Sequence, residues 1–317
     1  MRRILHPQTT NEVIAVVVTY NGAAWIQDCL QSLADSYHPV TAIVVDNGST
    51  DDTLALVGAF PDVTSLPQGA NLGFGRANNI GIRVALERKA RWVFLLNQDA
   101  RVEPETIGEL VRVSVAHPRF GILSPFHLDG KGANLDPGFV KHLYRAETGL
   151  LSDLYLGQNR EAYSTAMVNA AAWLLTGECL QTVGGFDPLF FMYGEDDDYC
   201  NRVRWHGLDI GIVPSAVVFH DRPSERLTQN RQGSTLESIV AWRVSHMLYD
   251  LKQPRESYFW RIGSWGLTSL RTGLVLLASG QFKDLLAWII GLLKVVIYMP
   301  RVWKHRKMER MPGKHWI

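Results

Sequence analysis

Apolar and polar positions alternate along the first half of the chain in two rhythms. Val13 to Tyr20 is an almost unbroken apolar run, the pattern of a strand buried on both faces of a parallel sheet. Trp25, Ile26, Cys29, Leu30 and Leu33 then recur at helical spacing. The same alternation predicts strands at Val40 to Val45, Asp62 to Leu66 and Trp92 to Leu96. It predicts helices beginning at Asp51, whose acid suits the positive end of the helix dipole, across Phe74 to Arg88, and from Pro104, a residue favoured in a first turn. Repeated strand–helix units imply an α/β fold with a largely parallel sheet and right-handed crossovers. Residues 125–165, with Gly130, Gly132, Pro137 and Gly138, break the rhythm and read as a long irregular insertion of the kind that forms lids or binding loops. Beyond it come an apolar run at Val168 to Thr176, a sharp turn at Gly184-Gly-Phe-Asp-Pro, a helix at Glu195 to His206, strands at Ile210 to Val213 and Val213 to Phe219, and a helix at Thr235 to Leu251.

Residues 256–311 have another character. Leu267 to Ala278 and Leu285 to Met299 are rich in Leu, Ile, Val and Trp, with Gly280, Gln281, Lys283 and Asp284 between them and Lys294 inside the second. Neither run reaches the roughly 20 uninterrupted apolar residues of a comfortable span. Trp260, Trp265, Trp288, Tyr298 and Trp303 lie at their ends or faces, and Arg301 to Lys307 is a basic block. An in-plane helical hairpin on an anionic membrane surface is expected, against the simpler reading of two buried helices packed on the main domain.

Composition changes this picture little. The 317 residues are 46% hydrophobic, enough for a sizeable core, and carry a formal charge of +1, which gives no field for nucleic acid. Cys29, Cys179 and Cys200 are few and widely spaced, so neither a disulfide framework nor a zinc knuckle is expected, and a reducing compartment fits. Arg2 and Arg3 precede polar residues, so no export signal is read there.

Four segments carry candidate chemistry. Thr19-Tyr-Asn21 and Val44-Val-Asp-Asn-Gly-Ser-Thr-Asp51 put polar groups at the carboxyl ends of two neighbouring strands, where open α/β sheets bind ligands. Asp46 can accept from a base imide or a ribose hydroxyl; helix capping by Ser49 or Asp51 is the competing reading. Asn71-Leu-Gly-Phe-Gly-Arg-Ala-Asn-Asn79 is a glycine-rich turn whose Arg76 can pair with diphosphate oxygens beside helix amides, or can be a plain surface arginine. Phe94-Leu-Leu-Asn-Gln-Asp-Ala100 delivers Asp99 from a buried strand end as a hard-metal ligand, unless it only caps a turn. In Tyr193-Gly-Glu-Asp-Asp-Asp-Tyr199 four successive acids repel one another, which raises at least one carboxyl toward general-base service; an acid-enriched helix start is the bland alternative.

Together and in this order, the V-V-V-T-Y-N, V-D-N-G-S-T-D, N-x-G-F-G-x-A-x-N, L-N-Q-D-A and G-G-F-D…E-D-x-D segments resemble family 2 of the inverting nucleotide-sugar glycosyltransferases, over roughly residues 13–250. The branch resembled is that of rhamnosyltransferase-like enzymes of cell-surface polysaccharide and O-antigen assembly. The resemblance implies the GT-A fold, a Rossmann-like sheet flanked by helices. Residues 1–255 would form the catalytic domain, with 13–124 holding the nucleotide sugar and 125–255 the acceptor, and 256–317 would form the helical tail. It implies a nucleoside site at Thr19, Tyr20, Asn21 and Asp46, and a diphosphate and sugar border at Asn71, Arg76 and Asn78, with Asn97 and Gln98 beside it. Asp99 matches the last position of the family's metal-binding D-x-D, whose first acid is replaced by Asn97, and His220 matches a histidine that completes the Mg²⁺ or Mn²⁺ site in some relatives. Asp196 matches the catalytic base and Glu195 a sugar or acceptor contact, while Asp197 fills a position that is usually apolar. The expected reaction is inverting transfer, with dTDP-L-rhamnose the favoured donor, to a lipid-linked or polysaccharide hydroxyl by a cytoplasmic protein held on the inner face of the cell membrane, a homo-oligomer being left open. UDP-galactofuranose or a UDP-hexosamine would use the same chemistry; an inactive nucleotide-sugar-binding or membrane scaffold protein is the alternative of another class.

Overall fold

A computed structural model describes residues 12–144, 146–221 and 235–317. Residues 1–11, read above as lacking an export signal, lie outside the described residues. In chain order the elements are β1 (Val13–Thr19), α1 (Ile26–Ala34), β2 (Val40–Asp46), α2 (Thr53–Val57), β3 (Thr64–Pro67), α3 (Phe74–Glu87), β4 (Trp92–Asn97), β5 (Ala100–Val102), α4 (Thr106–Ala116), β6 (Phe120–Asp129), α5 (Pro137–Leu143), α6 (Leu150–Leu156), β7 (Tyr163–Ser164), β8 (Ala172–Thr176), α7 (Gly177–Thr182), α8 (Glu195–Trp205), β9 (Asp209–His220), α9 (Leu236–Lys252), α10 (Tyr258–Ala278) and α11 (Phe282–Glu309).

One mainly parallel sheet runs β3-β2-β1-β4-β8-β6-β9-β5, with β7 beside β9. β1, β2, β3 and β4 are mutually parallel, and β8 enters in reverse between β4 and β6. Alternate residues of β1 feed two cores. Ile14 and Val16 pack with α3 residues Ala77 and Ile82 on one face, while Val13, Ala15 and Val17 pack with Ile26, Leu30 and Leu33 of α1 on the other. Covering both faces is why the strands read as continuous apolar runs.

The register sets the site. Thr19 stands opposite Asp46, and Val18 opposite Asn97, so the polar ends of β1, β2 and β4 lie side by side at one sheet edge. Farther along the sheet β5 pairs antiparallel with β9, Ala100 opposite His220. That short strand turns the chain back after β4 and delivers Asp99 to the end of β9.

The insertion is more ordered than its composition predicts. β6 continues to Asp129, and α5 starts with Asp136 as its cap and Pro137 in its first turn. The run at 168 becomes strand only from Ala172; before it Thr165 Oγ1 donates to the Met167 carbonyl in a turn. The two predicted strands after residue 209 are one strand of 12 residues. A register shift opposite Pro125 and Phe126 loops out residues 214–216 and absorbs Pro214, which has no amide to donate.

The tail forms two long helices, and α11 runs through Lys294 and Pro300 into the basic block. It is one helix long and apolar enough to cross a membrane by length and composition, which makes it a membrane-association candidate. The far end of α11 is also bolted to the sheet-bearing part of the chain. Lys252 is buried and its Nζ touches Asp187, Asp198 Oδ1 at 3.0 Å and Glu309 Oε2 at 2.9 Å. Arg202 Nε lies 2.9 Å from Asp198 and 3.5 Å from Glu309, and His305 Nδ1 2.9 Å from Asp187. Beyond the helix, the Gly185 amide donates to the His315 carbonyl and the Gly313 amide to the Thr182 carbonyl.

Candidate functional site

The loops after β1 and β2 are tied together before any ligand is considered. Asp46 is 1% exposed. Its Oδ1 accepts from Thr19 Oγ1 at 3.0 Å and its Oδ2 from the amides of Gly48 and Ser49, so the carboxylate folds its own turn. Asn21, at φ 47°, accepts the Thr50 amide and donates its own amide to Ser49 Oγ. Gln98 grips the Tyr20 backbone twice, accepting its amide at 2.9 Å and donating to its carbonyl at 3.2 Å. Asn47 bridges to the turn before α3, donating to Asn71 Oδ1 at 3.0 Å and accepting the Leu72 amide at 2.8 Å.

These contacts wall a cavity of about 180 Å³ lined by Val18, Tyr20, Asn47, Asn71, Phe74, Asn97, Gln98, Asp99 and Met192. Five of the residues singled out in the sequence meet there: Tyr20, Asn71, Asn97, Gln98 and Asp99. Thr19, Asn21 and Asp46 build the turns beside it. Asn78 does not reach it; the side chain is buried in α3 and donates to the Phe74 carbonyl at 3.1 Å. Nor does Arg76, whose guanidinium donates to the Pro188 carbonyl at 2.9 and 3.3 Å and lines a separate cavity with Arg301 and His305.

The β5–β9 pairing sets His220 Nε2 3.4 Å from Asp99 Oδ1, and the Asp221 amide donates to the Asp99 carbonyl. On the other side of the ring, Nδ1 lies 3.2 Å from Asp136 Oδ2. Asp136 is 1% exposed and also caps α5, its Oδ1 accepting the Phe139 amide at 2.7 Å. A carboxylate behind a histidine that faces a second carboxylate is the outer-shell arrangement of metal-binding histidines. Asp99 oxygen and His220 nitrogen suit a divalent ion whose other ligands come from diphosphate and water. Asp136 was not singled out in the sequence, although Asp-Pro-Gly before an apolar turn is a helix-start signal.

A second group of acids, Asp187, Asp198 and Glu309, brings oxygens within 4.8 Å of one another, a spacing that can hold a cation. The Lys252 ammonium already touches all three. With Arg202 beside them these acids serve folding. Burial raises the Asp187 carboxyl, but Lys252 and His305 outweigh it and hold it well below the usual range.

The acidic turn at 195–198 opens α8 after Tyr193 and Gly194, both at positive φ. It is fixed to the cavity wall through residues just before it. The Phe74 amide donates to the Phe191 carbonyl, Ser245 of α9 donates to the Met192 carbonyl, and Met192 lines the Asp99 cavity. Glu195 packs against the first turn of α3, where a Cβ on Gly75 would stand 3.8 Å from its own. It is buried, and among the described residues its Oε2 has no hydrogen-bond partner. Burial, then the negative charges of Asp196, Asp197 and Asp198, push its carboxyl up to about 8. Asp196 is partly exposed. Burial raises its carboxyl too, against the Asp197 amide, Lys141 and the Ala170 amide. Asp196 is not among the residues lining the Asp99 cavity; its neighbours Gly194 and Asp197 line another of about 260 Å³ with Lys141, His142 and His246.

Comparison with known proteins identifies the family and the fold. Residues 14–147 match the model of glycosyl transferase family 2. The N-acetylglucosaminyl-diphospho-decaprenol L-rhamnosyltransferase of Mycobacterium tuberculosis is 32% identical over 237 residues, 67% of this chain and 77% of that protein. The dTDP-rhamnosyl transferase RfbF of Shigella flexneri is 23% identical over 66% of this chain and 69% of its own length. A mannosyltransferase from Pyrobaculum calidifontis, solved with GDP-Man and Mn²⁺, superposes with a TM-score of 0.53 at 18% identity, over 89% of this chain and 86% of that one, which shows a shared GT-A-like fold. With the polar strand ends, the D-x-D-like turn and the acidic helix start in their expected order, the chain belongs to glycosyl transferase family 2.

Proposed function

We propose that the protein is an inverting rhamnosyltransferase that moves L-rhamnose from dTDP-L-rhamnose to a hydroxyl of a lipid-linked diphospho-sugar. The observation that carries the reading is the Asp99–His220 pair set beside a cavity built from the carboxyl ends of β1 and β4. The donor and acceptor come from the relatives: one is named for dTDP-rhamnosyl transfer and the other for a diphospho-decaprenol acceptor.

Tyr20 and Asn47 border the nucleoside, over a floor made rigid by Thr19 and Asp46. Asn71, Asn97 and Gln98 flank the sugar diphosphate. Asp99 and His220 would hold Mn²⁺ or Mg²⁺, which supplies charge neutralisation for the departing diphosphate. Asp196 takes the proton of the acceptor hydroxyl as its oxygen forms the new glycosidic bond and the diphosphate leaves from the opposite face. The protonated Glu195 next to it keeps one negative charge out of the turn, so that Asp196 can ionise.

The outer face of α10 and α11 exposes Leu267, Leu274, Phe282, Leu293 and Ile297. An apolar surface of this extent, ending in the basic residues 301–307, suits an anionic membrane surface on which a lipid-linked acceptor is presented.

The test is release of dTDP and transfer of labelled rhamnose into the lipid fraction. Asp196→Asn should cut turnover by about 10²–10⁴-fold while dTDP still binds; full turnover in that variant removes Asp196 as the base. The double substitution Leu293→Glu and Ile297→Glu should abolish sedimentation with phosphatidylglycerol vesicles, and unchanged sedimentation would reject the membrane face.

A further inference from the structure

A second cavity, of about 570 Å³, borders the Asp99 cavity at Asn71. Asn71 lines both, and the loop at Phe191 and Met192 divides them, Phe191 facing one and Met192 the other. Its basic side chains are Arg76 from the first turns of α3, and Arg301 and His305 from α11. Among the described residues Arg76 meets only the Pro188 carbonyl, and Arg301 leans on the Tyr298 ring at 5.9 Å with no carboxylate beside it. His305 is held by Asp187 at 2.9 Å, inside the buried ionic cluster that fixes α11. Two permanent positive charges on rigid helices, both with free N–H groups, form a site for an anion carrying two or more charges.

We propose that this cavity binds the diphosphate of the lipid-linked acceptor, with Arg76 and Arg301 as its clamp. The proposal rests on the acceptor class proposed above. Three observations fit it. Arg301 directly follows Pro300, where the exposed apolar stretch of α11 bearing Leu293 and Ile297 gives way to the basic end seated on the catalytic half. A lipid whose chain lies along that apolar stretch therefore brings its head group to Arg301. The shared wall at Asn71 lets a sugar attached to that diphosphate reach over Phe191 and Met192 toward Asp99. Finally, Asp99 lines the other cavity, with His220 3.4 Å behind it, so the donor's own diphosphate has a separate place, and Arg76 is left for a second diphosphate.

The experiment titrates the full-length protein in neutral detergent micelles with geranylgeranyl diphosphate, and separately with dTDP in the presence of Mn²⁺. Geranylgeraniol, which lacks the phosphates, serves as competitor. Arg301→Gln, an exposed position without an ion pair, should weaken geranylgeranyl diphosphate about tenfold, equivalent to about 1.4 kcal/mol. It should leave dTDP binding unchanged, and Arg76→Gln should weaken the isoprenyl diphosphate likewise. Isoprenyl diphosphate affinity unchanged from the native protein in both variants overturns the proposal. So does a loss confined to dTDP, which would give the cavity to the donor, and so does competition by geranylgeraniol as strong as that of the diphosphate. Wild-type protein that binds dTDP but not geranylgeranyl diphosphate refutes this site alone; protein that binds neither refutes the transferase reading beneath it.

Discussion

Asp136→Asn separates metal chemistry from folding with one atom. In the native site one carboxylate oxygen caps α5 through the Phe139 amide and the other lies 3.2 Å from His220 Nδ1, placed to accept its N–H. That leaves the lone pair of Nε2 facing Asp99. An asparagine caps a helix about as well as an aspartate, within a few tenths of a kcal/mol, so its carbonyl stays on Phe139. Its NH₂ group then faces His220 and can only donate. Nδ1 must accept, the ring proton moves to Nε2, and the nitrogen that should ligate the ion is blocked. Loss of such an outer-shell partner costs about 10–100-fold in metal affinity, or about 1.4–2.7 kcal/mol. Calorimetric titration with Mn²⁺ in the presence of dTDP reads that loss, and thermal unfolding without metal reads the fold. The expected result is a weakened Mn²⁺ Kd with little change in melting temperature. An unchanged Kd refutes the tautomer argument and with it His220 as ligand.

Further outcomes follow from buried groups. Lys252→Met removes the cation shared by Asp187, Asp198 and Glu309 and leaves buried acids uncompensated, so urea unfolding should show a loss of about 3–5 kcal/mol; an unchanged midpoint would dismiss the cluster as a structural bolt. Glu195 is pushed from 4.5 to about 8, so between those values the folded state keeps a proton that the unfolded chain has lost. Stability therefore falls as pH rises through that window, and Glu195→Gln should flatten the fall; an identical pH profile would show that Glu195 ionises normally. Gly73 precedes α3 at φ 86°, and a Cβ there would stand 2.2 Å from the Phe191 carbonyl oxygen. Gly73→Ala should cost about 1–3 kcal/mol and loosen nucleotide binding, whereas wild-type stability and affinity would show that the Phe191 loop yields freely.

The parts of the site legible in the sequence are those whose signal is local. Buried parallel strands announce themselves as apolar runs, and the polar residues that end β1, β2 and β4 fall at one sheet edge because parallel strands in register must end together. Asp99 read as a metal ligand from its place at a buried strand end, but His220 beside it was legible only through the family resemblance, since 121 positions apart nothing local joins them until β5 pairs with β9. Asp136 stayed hidden inside a glycine-rich stretch whose composition reads as loop, although it caps a helix. Arg76 sits beside a glycine turn that reads as a phosphate loop, yet its partners across the cavity come from α11. The ionic cluster joins positions 187, 198, 202, 252, 305 and 309, a long-range pairing that no periodicity encodes. It also packs the far end of the tail into the sheet-bearing part of the chain, as the alternative of helices packed on the main domain had it, while the apolar stretch of α11 stays exposed as the expected membrane face.

The most direct test of the account is dTDP binding by calorimetry with and without Mn²⁺, in the native protein and in Asp99→Ala. The account predicts metal-dependent binding that the substitution abolishes. Affinity for dTDP that ignores both the metal and the substitution would contradict it, because the nucleotide diphosphate would then lie away from the cavity at the strand ends.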